Sequence, residues 1–70
     1  MINGLIGTHI ATGIPVEIEL DLVELALAKS ISDVEWNQLN ESIIQKHGHG
    51  IIGEVDLEFI VENGVKRVFH

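Results

Sequence analysis

The sequence of 70 residues contains no cysteine. Small domains in oxidising compartments usually depend on disulfides, and many small zinc domains depend on cysteine ligands. The absence of both supports favours a reducing compartment, and we expect a cytoplasmic protein of a bacterial or host cell. It also favours a homo-oligomer, because a chain this short gains stability by sharing a hydrophobic core with a partner.

Long apolar runs are also missing, since the longest uninterrupted one is Leu25 to Ala28. A membrane-spanning helix needs about 20 apolar residues. The first residues, Met1 to His9, carry no basic segment of the kind that opens a signal peptide. We therefore expect one domain over residues 1–70, neither exported nor inserted in a membrane.

Basic residues are few, because four Lys and Arg stand against eleven Asp and Glu, for a formal net charge of −7. Proteins bind nucleic acids largely by neutralising phosphates with Lys and Arg. We expect no direct binding to nucleic acid or to anionic membrane, and a partner that is basic or apolar. Branched aliphatic residues are abundant, with eleven Ile, seven Leu and seven Val, which is sufficient for a folded core.

The clearest predicted element is a helix from Asp33 to about Lys46. Ser32 and Glu35 have the spacing of a capping box, and Gly48 is a typical helix terminator. Apolar residues recur at helical spacing and predict one buried stripe. The stripe consists of Trp36, Leu39 and Ile43.

A hairpin is predicted at the C-terminal end, because Asn63-Gly64 is typical of a type I′ turn between residues 55–62 and 65–69. The two-residue loop sets Ile60 opposite Arg67, and alternation then assigns side chains to two faces. The predicted core face carries Val55, Leu57, Phe59, Val61 and Val68. The predicted outer face carries Glu54, Asp56, Glu58, Ile60 and Glu62 from one strand, with Val65, Arg67 and Phe69 from the other.

The segment from Val16 to Leu22 alternates apolar and acidic residues and predicts a strand, with residues 5–10 as its hairpin partner. Residues 23–29 allow two interpretations. We favour a strand that continues through a bulge, whereas the capping-box spacing of Asp21 and Glu24 favours a short helix. The resulting fold class is α+β: a small antiparallel β-β-α-β-β sheet with one helix packed on one face.

The link from Gly48 to Gly53 matches the glycine spacing of dinucleotide-binding loops, but a predicted helix precedes it and a strand follows, the reverse of the required order. We interpret it as a connecting loop. His47 and His49 are weak candidates for metal ligands, with His9 or His70 completing a site. No spacing marks a catalytic residue or a cofactor site, so we expect no enzyme activity and no cofactor.

Residues 22–39 resemble a helix-turn-helix unit. Ala26 would lie in its first helix, Ile31 in the turn, and Trp36 and Leu39 in the second helix. The resemblance implies a helical pair, and its second helix would present acidic residues and no arginine to DNA. It therefore implies a protein-binding module.

The strongest predicted site is a partner-binding surface on the outer sheet face. It comprises Glu17, Glu19, Asp21, Glu54, Asp56, Glu58, Ile60, Val65, Arg67 and Phe69. We also expect Arg67 to pair with Glu58 and Glu62. Apolar residues bordered by charge are typical of interfaces.

The leading hypothesis is a small acidic, non-enzymatic binding protein that docks on a basic protein surface. It would act as an inhibitor or nucleic-acid-mimicking decoy of the kind common among phage and mobile-element proteins. The alternative is a self-assembling homo-oligomer that uses the same face. A small-ligand or metal binder at the Gly/His link is a further alternative.

Overall fold

A computed structural model of the chain describes residues 3–30 and 32–69. The elements follow in the order β1 (Gly4–His9), β2 (Pro15–Glu19), α1 (Leu22–Lys29), α2 (Asp33–His47), β3 (Val55–Glu62) and β4 (Val65–Val68). The four strands form one antiparallel sheet in the order β2-β1-β3-β4, so β1 joins the two hairpins by pairing with β3. The predicted α+β class is confirmed.

Residues 22–29 form a helix, so the predicted continuation of the strand is wrong and the sheet carries two helices instead of one. The capping box predicted as the alternative is present at the start of α1. The Asp21 carboxylate accepts a hydrogen bond from the Glu24 N–H at 2.8 Å, and the Glu24 carboxylate accepts one from the Asp21 N–H at 3.1 Å. These bonds satisfy two backbone donors at the helix start. The helical pair implied by the helix-turn-helix resemblance is present.

The predicted helix at residues 33–46 is confirmed as α2, which ends at Gly48 in the left-handed conformation with φ 81°. It begins at Asp33 with Ser32 as the N-cap residue, as predicted, but the Ser32 side chain makes no capping hydrogen bond to the described residues, so the predicted capping box does not form. The Ser30 hydroxyl instead accepts from the Ser32 N–H at 3.0 Å, and the Ser30 carbonyl accepts from Trp36 Nε1 at 2.9 Å. Ile31, predicted in the turn, lies outside the described residues.

Both helices pack on one side of the sheet, which we call the helix face. The core there joins residues of both helices to residues of the three strands β1, β2 and β3. Its buried members are Leu5, Ile18, Leu20, Leu25, Ala28, Leu39, Ile43, Ile51, Val55 and Ile60. We call the opposite side the open face, because no helix of residues 3–30 and 32–69 packs on it. None of the described helices is long and apolar enough to cross a membrane.

A β-bulge in β3 reverses the predicted orientation of half of that strand. Ile6 pairs with Phe59 while the next residue, Gly7, pairs with Leu57, so Glu58 is an extra residue without a partner in β1. Val55 and Leu57 therefore point to the helix face as predicted. Beyond the bulge the alternation is shifted by one residue, which turns Ile60 to the helix face. Phe59 and Val68, predicted as core, belong to the open face. Val61 also lies on that side of the sheet, but its side chain is fully buried, as predicted.

Candidate interaction surface

The register of the sheet arranges the open face in rows that cross all four strands. One row runs Glu17, Ile6, Phe59, Val68, and the next runs Glu19, Gly4, Val61, Lys66. A shorter row joins Pro15, Thr8 and Asp56. Each row of four begins with a carboxylate on β2 and has apolar residues or glycine in its middle. The open face is thus apolar at its centre and acidic along β2.

The side of the open face at β4 is basic. The Lys66 ammonium group lies 5.4 Å from the centre of the Phe59 ring, within cation–π range. Ile6 and Phe59 are half-buried, Val61 is buried, and Val68 is 62% exposed. The open face therefore combines an apolar centre with opposite charges at its two edges.

Both edge strands direct unpaired backbone groups away from the sheet. In β4, the Phe69 N–H donates to the Glu58 carbonyl at 3.1 Å, and in an antiparallel ladder bonded and non-bonded pairs alternate. Arg67 and Val65 therefore bond β3, and the N–H and C=O groups of Lys66 and Val68 point outward. In β2, the Leu20 N–H donates to the Asn3 carbonyl at 2.9 Å, and the same alternation directs the backbone groups of Glu17 and Glu19 outward.

Two predicted interface residues lie on the helix face and not on the predicted outer face. Ile60 is 6% exposed and belongs to the core. Phe69 packs against the core, with its ring centroid 5.8 Å from that of Trp36 in an edge-to-face contact. Their predicted placement is wrong because the bulge at Glu58 shifts the alternation by one residue. The predicted apolar-acidic surface therefore does not exist as one face.

The predicted acidic residues are distributed over four regions. Glu17, Glu19 and Asp56 are exposed on the open face, and Glu58 is exposed at the bulge. Asp21 caps α1, and its carboxylate also lies 3.4 Å from Lys46 Nζ. The Glu54 carboxylate accepts a hydrogen bond from the Gly50 N–H at 2.8 Å. Glu17 and Glu19 are thus the two predicted carboxylates that form an adjacent pair on the open face.

The predicted pairing of Arg67 with Glu58 and Glu62 is wrong. Glu62 forms an ion pair with Lys29 of α1 at 3.1 Å, because the bulge turns Glu62 towards the helices. Arg67 makes no ion pair with any carboxylate of the described residues. Val65 and Arg67 of β4 are both exposed, and Arg67 lines a cleft with Lys29 and Trp36 of the helices. They lie on the helix-face side, so β4 presents one cation on each side of the sheet.

The Gly/His link is held by the protein's own side chains. Asn40 Oδ1 accepts hydrogen bonds from the Ile51 N–H at 2.7 Å and the Ile52 N–H at 3.1 Å, while Glu54 binds the Gly50 N–H. Three consecutive backbone donors that could cradle a phosphate are therefore already bonded. The interpretation of this segment as a connecting loop is supported by these contacts.

The histidines predicted as weak metal candidates do not converge with further ligands. His47 and His49 are exposed, with ring centroids 6.3 Å apart. Residues 3–30 and 32–69 contain no group of three His, Cys, Asp or Glu side chains that could hold a metal ion. His9 Nδ1 is buried and has no hydrogen-bond partner among the residues that the structure describes. His70 lies outside the described part of the chain.

Sequence reasoning missed a buried carboxylate between the helices. Glu24 of α1 is 3% exposed; its carboxylate accepts from Ser42 Oγ at 2.6 Å and from Lys46 Nζ at 2.7 Å. Burial raises the pKa of Glu24, but hydrogen bonds from Lys46, Ser42 and the Asp21 N–H, with the Lys46 charge, outweigh it and lower the pKa to about 2. The Glu24 carboxylate raises the pKa of Lys46 in turn through the same hydrogen bond, although burial opposes that change.

The Glu24, Ser42 and Lys46 cluster joins the two helices and has no group suited to acid–base catalysis. A carboxylate with a pKa of about 2 is a weak base and does not deprotonate Ser42, and the raised pKa keeps Lys46 protonated. The signal in the sequence was present but ambiguous: Glu24 interrupts an apolar helix, and Ser42 and Lys46 stand four residues apart on one side of α2.

Two open clefts lie on the helix face, beside the contact between Trp36 and Phe69. One has a volume of about 340 Å³ and is lined by Ile51, Leu57 and neighbouring residues. The other has a volume of about 470 Å³ and is lined by Lys29, Ile60 and Arg67, among others. Neither brings a set of polar groups to one point, which a specific small-molecule site requires. Compared with these clefts, the open face has the more regular arrangement of charged residues.

Comparison of the chain with protein-family models, with curated proteins and with solved structures found no match.

Proposed function

We propose that this chain is a small non-enzymatic binding protein whose open face docks on a basic surface of another protein. One observation carries the proposal: the rows across the open face place exposed Glu17 and Glu19 beside an apolar centre formed around Ile6 and Phe59. Apolar contact supplies most of the binding energy of such an interface, and the flanking carboxylates select a partner with complementary charge.

The proposal is supported by the difference between the two sheet faces, since only one of them is covered by the described helices. The helix face is occupied by α1 and α2, whose apolar residues complete the core. The open face spans the four strands and is covered by neither helix, which suits a protein partner better than a small molecule. Net charge adds to the argument, because a chain with a formal charge of −7 attracts basic partners over several ångströms and speeds their association.

An inhibitory decoy is the form of this function that the charge pattern favours most. Glu17 and Glu19 project from the same side of β2, about 7 Å apart at their backbone positions. A basic surface that binds phosphates would meet two regularly spaced carboxylates there. We propose such a surface as the partner's contact site.

The test is the capture of proteins by the immobilised chain, with each captured protein then purified and titrated by calorimetry. Glu17→Gln with Glu19→Gln removes two charges from the open face and leaves the side-chain shape nearly unchanged. Asp33→Asn with Glu41→Gln removes two exposed charges from α2 on the other side of the sheet. We expect the open-face pair to weaken binding by about tenfold or more and the α2 pair by less than about threefold.

Equal losses from the two variants would show that net charge alone, and not the open face, attracts the partner. Unchanged binding by the open-face pair would overturn the proposal. Replacing Phe59 with Ala provides a second readout, because loss of the apolar centre should accelerate dissociation, whereas loss of the carboxylates should mainly slow association.

A further inference from the structure

We infer that the chain also binds a second copy of itself, edge to edge, with β4 of one copy pairing with β2 of the next. The inference goes beyond the proposed function, because it assigns a second copy of the chain, and not a different protein, to the edges of the sheet. It uses the two sheet edges rather than the centre of the open face. Two observations carry it: the strand directions at the edges and the charges that the edges present.

The directions of the two edge strands allow an antiparallel joint without turning the second copy upside down. Each strand of the order β2-β1-β3-β4 runs antiparallel to its neighbour, and the number of strands is even. The two edge strands therefore run in opposite directions. A second copy placed beside the first in the same orientation presents its β2 antiparallel to β4, with its helices on the same side of the extended sheet.

The outward backbone groups define the register of this joint. They belong to Lys66 and Val68 on β4 and to Glu17 and Glu19 on β2, as the alternation of bonded pairs requires. Pairing Lys66 with Glu19 and Val68 with Glu17 uses the N–H and C=O groups of all four residues, which makes about four new backbone hydrogen bonds. The other register, with Lys66 opposite Glu17, sets Val68 opposite Pro15, which has no N–H to donate.

The same register continues the rows of the open face from one copy to the next without a step. The row that ends at Lys66 meets the row that begins at Glu19, and the row that ends at Val68 meets the one that begins at Glu17. Lys66 then lies directly opposite one carboxylate and diagonal to the other, the two positions at which cross-strand charges interact. Each joint therefore brings the Lys66 charge of one copy to the two β2 carboxylates of the next.

Charge also excludes the competing joints. β2 carries two carboxylates and no base, whereas β4 carries Lys66 and Arg67 and no acid. Pairing β2 with β2 or β4 with β4 would set like charges opposite each other, which is destabilising. Only the joint between unlike edges is attractive. Because this joint is heterologous, repetition produces a closed ring or an open filament, according to the twist of the sheet.

The experiment is sedimentation velocity over a range of protein concentrations, with charge-swapped variants. We expect wild type to form dimers and larger species as the concentration rises. Lys66→Glu should weaken association by at least about tenfold, because it sets an acid opposite Glu19. Adding Glu19→Lys in the same chain exchanges the two charges and should restore association, with the formal net charge returned to the wild-type value.

The matched control combines Lys66→Glu with Glu41→Lys, which has the same net charge but places the new lysine on α2, away from both edges. We expect this control to stay as dissociated as Lys66→Glu alone. Circular dichroism and thermal unfolding check that every variant is folded. Equal recovery by the control would overturn the inference, because bulk charge would then explain it.

A wild-type chain that remains monomeric at about 1 mM would also overturn the inference. That result would leave the proposed function standing, provided that the Glu17/Glu19 variant still loses its captured partner. The opposite result is also possible: the chain assembles through its edges, but capture of the partner does not depend on Glu17 and Glu19. That result would support the inference and overturn the proposed decoy function. The two failures are therefore distinguishable.

Discussion

Glu24 is a charged residue buried in α1 among the apolar residues Leu25 and Ala28. α1 buries this carboxylate and exposes Leu22 and Val23, which are 81% and 70% exposed. The arrangement is stable because the carboxylate receives hydrogen bonds from the Asp21 N–H, from Ser42 and from Lys46. A buried charge that lost these partners would be strongly destabilising. The cluster therefore fixes α1 to α2 at one orientation.

The lowered pKa of Glu24 predicts a loss of stability in acid. A carboxyl whose pKa falls from 4.5 to about 2 on folding stabilises the native state fully above its unfolded pKa. This contribution is lost as the pH falls from about 5 to 2, and it amounts to about 2–3 kcal/mol, since the half-exposed Lys46 is partly screened by solvent. Glu24→Gln should lower stability at pH 7 and flatten its dependence on pH in this range.

Urea unfolding at a series of pH values between 7 and 2 measures this effect. Glu41→Gln is the control, because Glu41 is exposed on α2 and its variant should retain the wild-type slope. Identical pH slopes for wild type and Glu24→Gln would show that the buried ion pair does not contribute in this way.

At the level of elements, β1 depends on glycine at its two closest approaches to neighbouring strands. A Cβ added at Gly4 would collide with the Ile18 carbonyl oxygen, and one added at Gly7 would collide with the Asp56 carbonyl oxygen. Gly7 also lies at the point where the register with β3 shifts. The glycines that weaken the strand pattern in the sequence are thus the residues that let β1 occupy a central position.

Gly7→Ala should destabilise the protein by about 2 kcal/mol or more, because the strand backbones must move apart to admit the methyl group. Gly13→Ala is the control. Gly13 has a φ of 72° and open space around its Cβ position, so alanine there should cost only about 1 kcal/mol of backbone strain. Chemical denaturation of both variants compares the two costs, and a smaller effect at Gly7 than at Gly13 would contradict the close approach of β1 and β3.

At the scale of the whole molecule, the proposed assembly predicts that stability depends on protein concentration. A chain of this length buries only about 60% of its unfolded surface, and its stability alone is therefore marginal. Binding a second folded copy stabilises the native state by mass action, in proportion to the logarithm of concentration. The proposed edge-to-edge joint would therefore stabilise the fold as well as the assembly.

The thermal midpoint of wild type should rise with protein concentration. Each tenfold increase above the dissociation constant adds about 1.4 kcal/mol to the stability of the associated state. Lys66→Glu should remove this dependence while keeping the helices and the sheet. Differential scanning calorimetry at three concentrations provides the measurement, and overlapping curves for wild type across that range would contradict the prediction.

Several local features could be predicted from the sequence because neighbouring residues encode them. The alternation in residues 16–19 and 55–62, the Asn63-Gly64 turn and the helix over residues 33–46 depend on period, turn chemistry and helix ends. Asn63 with φ 52° and Gly64 with φ 79° adopt the left-handed conformations that a type I′ turn needs. Glu17 and Glu19 were correctly assigned to an outer face for the same reason.

The tertiary structure decided what depends on residues distant in sequence. A capping box and a strand pattern competed at residues 21–29, and the packing of Glu24 against Ser42 and Lys46 favours the helix. The bulge at Glu58 exists only because β3 pairs with β1, which lies about 50 residues earlier in the chain. A one-residue shift exchanges the two faces of a strand, so Ile60 became core and Phe59 joined the open face. Local sequence thus determined the elements, and long-range pairing determined which side chains a partner can reach.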